Sequence, residues 1–193
     1  MKLFSRRNRV YLVTHGSCAR VEKKFLLRSD CERELSLYRA LEGRIAIPRL
    51  YEAEDCLLVT EYLLFPTLLD TLETQERGEF RAEPWFALGT WLKQCHACCG
   101  MVPGDGNLRN FLWDEGGNVC VGLDFEEYRK GSVSEAGAVL IAYLLEYDPA
   151  ETPVKASAAA ILREELGVPK DEIDRTRLVL RSRRSSAGMR KTV

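Results

Sequence analysis

The N-terminal third of the chain alternates between apolar and polar positions in short runs, a pattern that predicts strands around one helix. The predicted strands cover residues 10–13, 18–25, 50–53 and 57–62, with turn residues between the members of each pair. Between the two pairs, Leu35, Tyr38 and Leu41 recur at helical spacing, and Ser29-Asp30 supplies a candidate N-cap. This part of the chain is therefore predicted to be rich in β-structure.

The rest of the chain has a mainly helical pattern, interrupted by one short hairpin. Apolar positions at helical spacing predict helices at residues 67–74, 84–99, 134–147 and 153–166. A turn at residues 114–118 separates two predicted strands, 111–113 and 119–124. No regular structure is predicted beyond Thr176. A β-rich part followed by an α-rich part predicts an α+β fold with two lobes around a cleft.

This pattern divides the chain into three regions. The predicted N-lobe covers residues 1–63, the predicted helical C-lobe covers residues 64–174, and a basic, flexible tail covers residues 175–193. The tail has no acidic residue after Asp174, and three interpretations of it stay open: a solvated extension, a weak contact for nucleic acid or an acidic partner, or a regulatory site at Ser185-Ser186. Because no aromatic residue lies among its arginines, base stacking is not expected.

Composition narrows the class of protein. The 193 residues are 46% apolar and 30% charged, and the formal net charge of −1 excludes a chain that is strongly basic or acidic as a whole. The seven cysteines lack the regular spacing of a disulfide framework, so reduced thiols are expected. No apolar run reaches the length of a membrane span or of a signal-peptide core. The sequence therefore predicts a soluble cytoplasmic protein without a membrane partner.

The second half of the chain contains the polar residues that phosphoryl transfer requires. Asp105 and Asn110 offer a carboxylate and a carboxamide in one loop, and Asp124 ends the apolar run 119–123. A carboxylate at the end of a buried strand is costly unless it has a partner such as a metal ion. Phosphoryl transfer needs oxygen ligands for a metal ion and a carboxylate where the acceptor hydroxyl arrives.

Segments 104–110 and 123–126 read Gly-Asp-Gly-Asn-Leu-Arg-Asn and Leu-Asp-Phe-Glu. They resemble the catalytic and metal-binding loops of the protein-kinase-like superfamily, particularly its aminoglycoside-phosphotransferase and Rio-type branches. The resemblance implies that Asn110 and Asp124 hold Mg²⁺, and that Asp105 orients, or accepts a proton from, an acceptor hydroxyl. The implied reaction is ATP-dependent transfer of a phosphoryl group to a hydroxyl on a small molecule or a protein.

The N-terminal part carries the same resemblance. Strand 21–25 resembles the strand that presents the phosphate-binding lysine, and Lys23 rather than Lys24 lies on its apolar face. Glu34, in the predicted helix, resembles the glutamate that pairs with this lysine. The strand at 59–63 resembles the one that enters the adenine-binding hinge, which implies backbone contacts to ATP from Glu61 and Leu63.

Three departures from the family pattern bear on activity. Pro103 stands where a bracing histidine is usual, and Gly106 replaces the leucine that usually follows the catalytic aspartate, so a less firmly braced loop is expected. The first hairpin lacks the glycine-rich cover over the phosphates, and Arg6, Arg7 or Arg9 would supply charge there instead. Two alternatives stay open: a nucleotide-binding pseudokinase that acts as a scaffold, and an RNA- or ribonucleoprotein-associated module.

Overall fold

The computed structural model describes residues 1–3, 8–16 and 18–188 of the chain. Its N-terminal part is a five-stranded antiparallel sheet with the strand order β1-β2-β3-β5-β4. The strands are β1 Lys2–Leu3, β2 Arg9–His15, β3 Cys18–Lys24, β4 Leu50–Glu54 and β5 Leu57–Glu61. Strands β2 to β5 begin and end close to the predicted positions, because the alternation of side chains across a half-buried strand is visible in the sequence.

The register of β3 decides which of two adjacent lysines points into the molecule. Lys23 pairs with Val10 on β2 and with Leu58 on β5. The side chain of Lys23 is only 13% exposed, whereas Lys24 is exposed to solvent. Because successive side chains of a strand point to opposite faces, the register places Lys23 on the inner face of the sheet.

Helix α1, Arg28–Leu41, packs on this inner face. Its buried residues are Cys31, Glu34, Leu37, Tyr38 and Leu41. The predicted cap at Ser29-Asp30 is wrong, because the N-cap residue is Leu27 and no side chain caps the helix. Asp30 lies in the first turn instead, where a carboxylate interacts favourably with the helix dipole.

The C-terminal part of the chain is mainly helical. Its helices are α2 Leu68–Arg77, α3 Glu83–Cys99, α4 Val133–Glu146, α5 Pro153–Leu166 and α6 Lys170–Gly188. Local sequence sets where two of them begin: Thr67 and Asp70 form a capping box at α2, and Ser132 and Glu135 form one at α4. In each box, two side chains satisfy backbone amides that the first turn of a helix leaves without partners.

Four short strands lie between α3 and α4. Strands β6 Met101–Val102 and β9 Arg129–Lys130 pair with each other, and β7 Phe111–Asp114 forms a hairpin with β8 Val119–Gly122. A 3₁₀ turn, Leu108–Asn110, enters β7. A Cβ atom at Gly122 would lie 2.1 Å from the ring of Trp91 on α3. Glycine therefore allows the hairpin to pack directly on α3.

The C-terminal residues differ from the predicted tail. No regular structure is expected from the sequence beyond Thr176, but α6 continues to Gly188. The Nε atoms of Arg177 and Arg181 lie 3.0 Å and 2.9 Å from Glu146 Oε1, and both arginines also pair with Glu151. Ion pairs to the end of α4 thus stabilise a helix that the basic composition of this segment did not predict. The same ion pairs engage two of the arginines that the sequence offered as a contact for nucleic acid. Residues 189–193 lie outside the described part of the chain.

One hydrophobic core joins the sheet to the helices. It contains Leu58 from the sheet, Phe25 directly after β3, Trp85 and Trp91 from α3, and Leu162 from α5. Across the described residues, no helix combines the length and apolar character needed to cross a bilayer. The two parts of the molecule therefore share one core, and the polar residues Lys23, Glu34 and Asp124 lie beside it.

Candidate active site

Lys23 lies at the centre of a cluster of three carboxylates. Its Nζ atom lies 2.7 Å from Glu34 Oε2, 2.5 Å from Asp124 Oδ1 and 3.2 Å from Glu126 Oε2. Glu34 belongs to α1, whereas Asp124 and Glu126 follow β8 in the C-terminal part. The lysine thus connects the strand-rich part of the fold to the helical part through charged contacts. The structure brings together three residues that the sequence analysis selected separately: Lys23, Glu34 and Asp124.

The pKa values in this cluster follow from one ammonium group facing three carboxylates. Burial by itself lowers the pKa of Lys23, but Glu34 and Asp124 outweigh burial, so this pKa lies well above its ordinary value. Burial raises the pKa of Glu34 from 4.5 to about 7, although the charge of Lys23 opposes the rise. Lys23 is therefore protonated at neutral pH, and the cluster gains negative charge as Glu34 ionises.

Replacing Glu34 by Gln is expected to change how stability depends on pH. The folded protein holds the Glu34 proton more tightly than the unfolded chain, so the free energy of unfolding falls as pH rises from 4.5 through about 7. The free energy of unfolding of the Glu34→Gln variant should lack this decrease with pH, which is about 3 kcal/mol for such a shift. Urea unfolding across this pH range measures the difference. Glu32→Gln, an exposed site on the same helix, should keep the wild-type profile; a Glu34→Gln profile parallel to wild type would contradict the prediction.

The loop before β7 brings Asp105 and Asn110 together. Asn110 Nδ2 donates a hydrogen bond to Asp105 Oδ1 at 3.1 Å. The carbonyl of Asn110 accepts a hydrogen bond from the amide of Leu123 at 2.8 Å, which places Asn110 beside the residue that precedes Asp124. Burial raises the pKa of Asp105, partly opposed by a hydrogen bond from the backbone amide of Asn107. The β7–β8 hairpin therefore places the three predicted polar residues side by side.

Asp124 has an unusual backbone conformation. Its φ angle is +55°, in the left-handed region that residues other than glycine seldom adopt. Conformations of this kind occur where surrounding contacts hold them, and they are frequent at functional sites. The 2.5 Å contact with Lys23 is one such contact. The side chain of Asp124 is 43% exposed, so it stays accessible to a ligand that enters from solvent.

Glu126 belongs to the cluster, although the sequence analysis assigned it no role. Its side chain is 11% exposed and accepts a hydrogen bond from Asn8 Nδ2. The backbone carbonyl of Glu126 accepts a hydrogen bond from the Arg33 side chain at 3.0 Å. Asn8 also accepts a hydrogen bond from the amide of Leu26 at 3.3 Å. The signal in the sequence is a second carboxylate two residues after Asp124, inside the segment that carries the resemblance.

Two glycines flank Asp105, and both allow a close approach of backbone segments. A Cβ atom at Gly104 would lie 2.2 Å from the carbonyl oxygen of Glu127. A Cβ atom at Gly106 would lie 2.8 Å from the Cα atom of Leu140 on α4. The loop is thus packed between the segment after Asp124 and helix α4, in contacts that a side chain at either position would disturb.

A tyrosine adds hydrogen bonds to the same loop. Tyr147 Oη accepts a hydrogen bond from the amide of Leu108 at 3.1 Å and donates one to Asn107 Oδ1 at 3.2 Å. Pro103 and Gly106, the two departures from the family pattern that lie in this loop, are both buried. Close backbone packing at Gly106 and the hydrogen bonds of Tyr147 hold this loop in place.

Aromatic rings connect the site to α1. The ring of Phe125 contacts Tyr38 edge-on at 4.9 Å and Tyr128 edge-on at 5.2 Å between ring centroids. Edge-to-face contacts of this kind stabilise an aromatic pair more than the burial of its apolar surface alone does, and they favour one relative orientation of the rings. Because Tyr38 lies one turn after Glu34, the row links the helix that carries Glu34 to the segment that carries Asp124.

The predicted adenine-binding residues lie where β5 leaves the sheet. Glu61 ends β5, and its amide donates a hydrogen bond to the carbonyl of Arg49 at 2.8 Å. Leu63 lies in the connector 62–66, which has no regular structure and leads to α2. Their contacts to ATP stay a prediction. Arg6 and Arg7, named as substitutes for the glycine-rich cover, lie outside the described residues.

The donor set at the cluster fits a magnesium ion. The carboxylates of Glu34, Asp124 and Glu126 offer oxygen atoms within 4.8 Å of one another, and Lys23 is the cation among them. Three carboxylates beside one ammonium group leave negative charge that a divalent cation would balance. Of these carboxylates, Asp124 is the most exposed, and the carboxamide of Asn110 lies near it.

Comparison with known proteins shows the fold. No family model and no curated protein matches the sequence, whereas 1124 chains of solved structures match the fold. One of them is a co-crystal structure of WbdD and the kinase inhibitor LY294002, with a TM-score of 0.53 and 18% sequence identity. The match covers 89% of this chain and 46% of that chain, so this chain spans less than half of the WbdD chain. The likeness confirms the predicted two-lobed kinase-like α+β fold.

Proposed function

We propose that this chain is an ATP- and Mg²⁺-dependent phosphotransferase that moves the γ-phosphoryl group of ATP to a hydroxyl acceptor on a small molecule or a protein. The observation that carries the proposal is the contact of Lys23 with both Glu34 and Asp124 across the two parts of a kinase-like fold. Asp105 and Asn110 lie on the loop next to Asp124, as the reaction requires.

In this proposal, Lys23 binds the ATP phosphates. Its position is set by Glu34, which is 3% exposed and contacts Nζ at 2.7 Å. Phosphate oxygens are strong acceptors for a protonated lysine, and they would replace part of the contact that Asp124 now makes. Glu61 and Leu63 would offer backbone hydrogen bonds to the adenine ring.

Asn110 and Asp124 would hold Mg²⁺, which supplies positive charge to the phosphate oxygens when it is bound. The side-chain amide of Asn110 is oriented by the hydrogen bond that its Nδ2 atom donates to Asp105. The side-chain oxygen, Oδ1, can then act as a metal ligand. Asp124 is held by Lys23 before the nucleotide arrives. The site is therefore organised in advance, which reduces the cost of assembling it around the substrate.

Asp105 would orient the acceptor hydroxyl and accept its proton. Its Oδ1 atom is directed by Asn110, and burial raises its pKa, which brings a carboxylate closer to the range in which it can take up a proton. The two flanking glycines and helix α4 hold this carboxylate in place. A positioned base and a bound phosphoryl group are the two elements that the transfer needs from the protein.

Thermal unfolding tests the nucleotide part of the proposal. A ligand that binds only the folded protein stabilises it by about 2.7 kcal/mol at a concentration of 100 times its Kd. ATP with Mg²⁺ should therefore raise the unfolding temperature by several degrees, and more than ATP with a chelator. Absence of any shift at millimolar ATP and Mg²⁺ would contradict nucleotide binding.

Release of ADP tests the transfer itself. A screen of hydroxyl-bearing metabolites and proteins should reveal an acceptor that accelerates ADP formation and gains phosphate. A protein that binds ATP with Mg²⁺ but forms no ADP with any acceptor, or with water, would be the pseudokinase scaffold instead. The two measurements therefore distinguish the enzyme from its closest alternative.

A further inference from the structure

Cys56 occupies a strained position in the turn between β4 and β5. The register pairs Glu54 with Leu57, so Asp55 and Cys56 are the two central residues of a tight hairpin turn. Their φ angles are +45° and +64°. Turns with two left-handed residues strongly favour glycine at the second central position, and asparagine or aspartate at the first. The turn itself disfavours a cysteine at this position. Its presence therefore indicates a role for the side chain other than forming the turn.

Cys56 shares a small cleft with a second cysteine. Cys31, in the first turn of α1, is 6% exposed; burial raises the pKa of its thiol, and the neighbouring Cys56 thiol raises it further. The two residues line the same cleft of about 300 Å³ between α1 and the β4–β5 turn. The carbonyl of Cys56 accepts a hydrogen bond from the amide of Phe25 at 2.9 Å, which fixes the turn relative to the end of β3.

We propose that Cys31 and Cys56 are an oxidation site that forms a reversible disulfide bond in the presence of a peroxide. The sulfur of Cys56 attacks one oxygen of hydrogen peroxide and becomes a sulfenic acid, releasing one water molecule. The sulfur of Cys31 then attacks the Cys56 sulfur and expels the second water molecule. Two thiols and one peroxide thus give one disulfide and two water molecules, and a thiol reductant reverses the reaction.

Exposure assigns the order of these steps. Cys31 is only 6% exposed, and burial raises the pKa of its thiol, so it is the less reactive partner towards an oxidant in solution. Cys56 is partly exposed at the mouth of the same cleft, so an oxidant in solution reaches its sulfur more readily. The exposed sulfur therefore reacts first, and the buried sulfur resolves the product.

The pair Cys95 and Cys99 shows why proximity of two cysteines is not enough. Both lie on one turn of α3, and the thiol of Cys99 donates a hydrogen bond to the backbone carbonyl of Cys95 at 3.2 Å. Residues four apart on a helix hold their Cβ atoms about 5–6 Å apart, beyond the ~3.5–4.5 Å that a disulfide needs. Cys31 and Cys56 lie on separate elements, so small shifts of the turn and α1 can bring their sulfur atoms together.

The bond would act on the helix that carries Glu34. Cys31 precedes Glu34 by three residues, so a disulfide at Cys31 attaches the adjacent turn of α1 to the β4–β5 turn. Such a link restricts the unfolded chain between residues 31 and 56, and restricts opening of α1 in the folded protein. This inference does not depend on the proposed phosphotransferase activity.

Peptide mapping of the full chain tests the proposal. Reduced protein is treated with one equivalent of hydrogen peroxide, the remaining thiols are alkylated, and the protein is digested with trypsin. Cys31 then lies in peptide 29–33 and Cys56 in peptide 50–77, separate from the peptides that contain the other cysteines. The expected result is a linked pair of these two peptides that dithiothreitol separates. Oxidised protein should also unfold several degrees higher and exchange the α1 amides more slowly than reduced protein.

Three variants make the result specific. Cys31→Ser and Cys56→Gly should each abolish the linked pair and the rise in unfolding temperature, and Cys56→Gly should be at least as stable as reduced wild type because glycine suits the turn. Cys18→Ser, at an exposed cysteine in the same lobe, should keep both effects. Cys56 recovered as a sulfinic acid, as a link to another cysteine or as a link between two chains, with Cys31 alkylated, would overturn the proposal.

Discussion

Replacing Asp105 by Asn is expected to lower turnover by about a hundredfold or more, while affinity for ATP with Mg²⁺ stays within a few-fold of wild type. The carboxamide keeps the shape of the side chain and an oxygen that accepts the hydrogen bond from Asn110 Nδ2. It removes the negative charge and the ability to take up a proton. Calorimetric titration measures the affinity, and ADP release with the best acceptor, or with water, measures the turnover.

Asp124→Asn is the matched variant, and it should differ from Asp105→Asn by impairing nucleotide binding as well as turnover. Asparagine tolerates the left-handed backbone that Asp124 adopts at φ +55°, so the backbone is expected to be preserved. Loss of the carboxylate should remove most of the Mg²⁺ dependence of ATP binding, together with activity. If Asp105→Asn abolishes nucleotide binding while Asp124→Asn leaves it intact, the two roles are reversed. If neither changes binding or turnover, the proposed function is wrong.

Replacing Lys23 by Ala is expected to destabilise the protein by about 3 kcal/mol or more, since it leaves nearby carboxylates without their counter-ion. Glu34 and Glu126 are 3% and 11% exposed, so solvent compensates poorly for the lost charge. The loss should be larger above pH 7 than below it, because Glu34 gains a proton as pH falls through about 7. Urea unfolding at pH 6 and pH 8 measures both effects.

The same variant should weaken ATP binding by about 10- to 100-fold, the scale of a hydrogen bond to a charged group. Lys24→Ala is the control, because Lys24 is the adjacent residue on β3 but is exposed to solvent. It should leave the free energy of unfolding and the ATP affinity close to wild type. Equal effects of the two substitutions would mean that the register of β3 differs from the one described here.

Much of the fold could be predicted from local sequence. The alternation of apolar residues located β2 to β5, and helical spacing with Pro153 and Gly167 located α5 at the positions observed. These signals are readable because period and capping depend on neighbouring residues alone. The same alternation predicted that Lys23, and not Lys24, lies on the inner face of the sheet, although the sequence does not show which residues Lys23 contacts.

Other features depended on residues far apart in the chain. The extent of α6 rests on ion pairs of Arg177 and Arg181 to Glu146 and Glu151, which basic composition does not reveal. The fit of Gly106 in the loop 104–110 rests on the backbone of α4. A residue that looks like a departure from a motif can thus be required by packing, and only the packed structure distinguishes the two cases.

For this protein, the sequence by itself determined the longer strands and the helices between residues 9 and 166, and the identity of the candidate chemical groups, because both are local properties of residue type and spacing. The tertiary structure alone decided that Lys23 meets Glu34 and Asp124, that Glu126 joins them, and that Cys31 and Cys56 line the same cleft. Distances between elements are set by how the sheet, α1 and the β7–β8 hairpin pack on one core. Burial and charge, and therefore the pKa of Glu34, follow only from that packing.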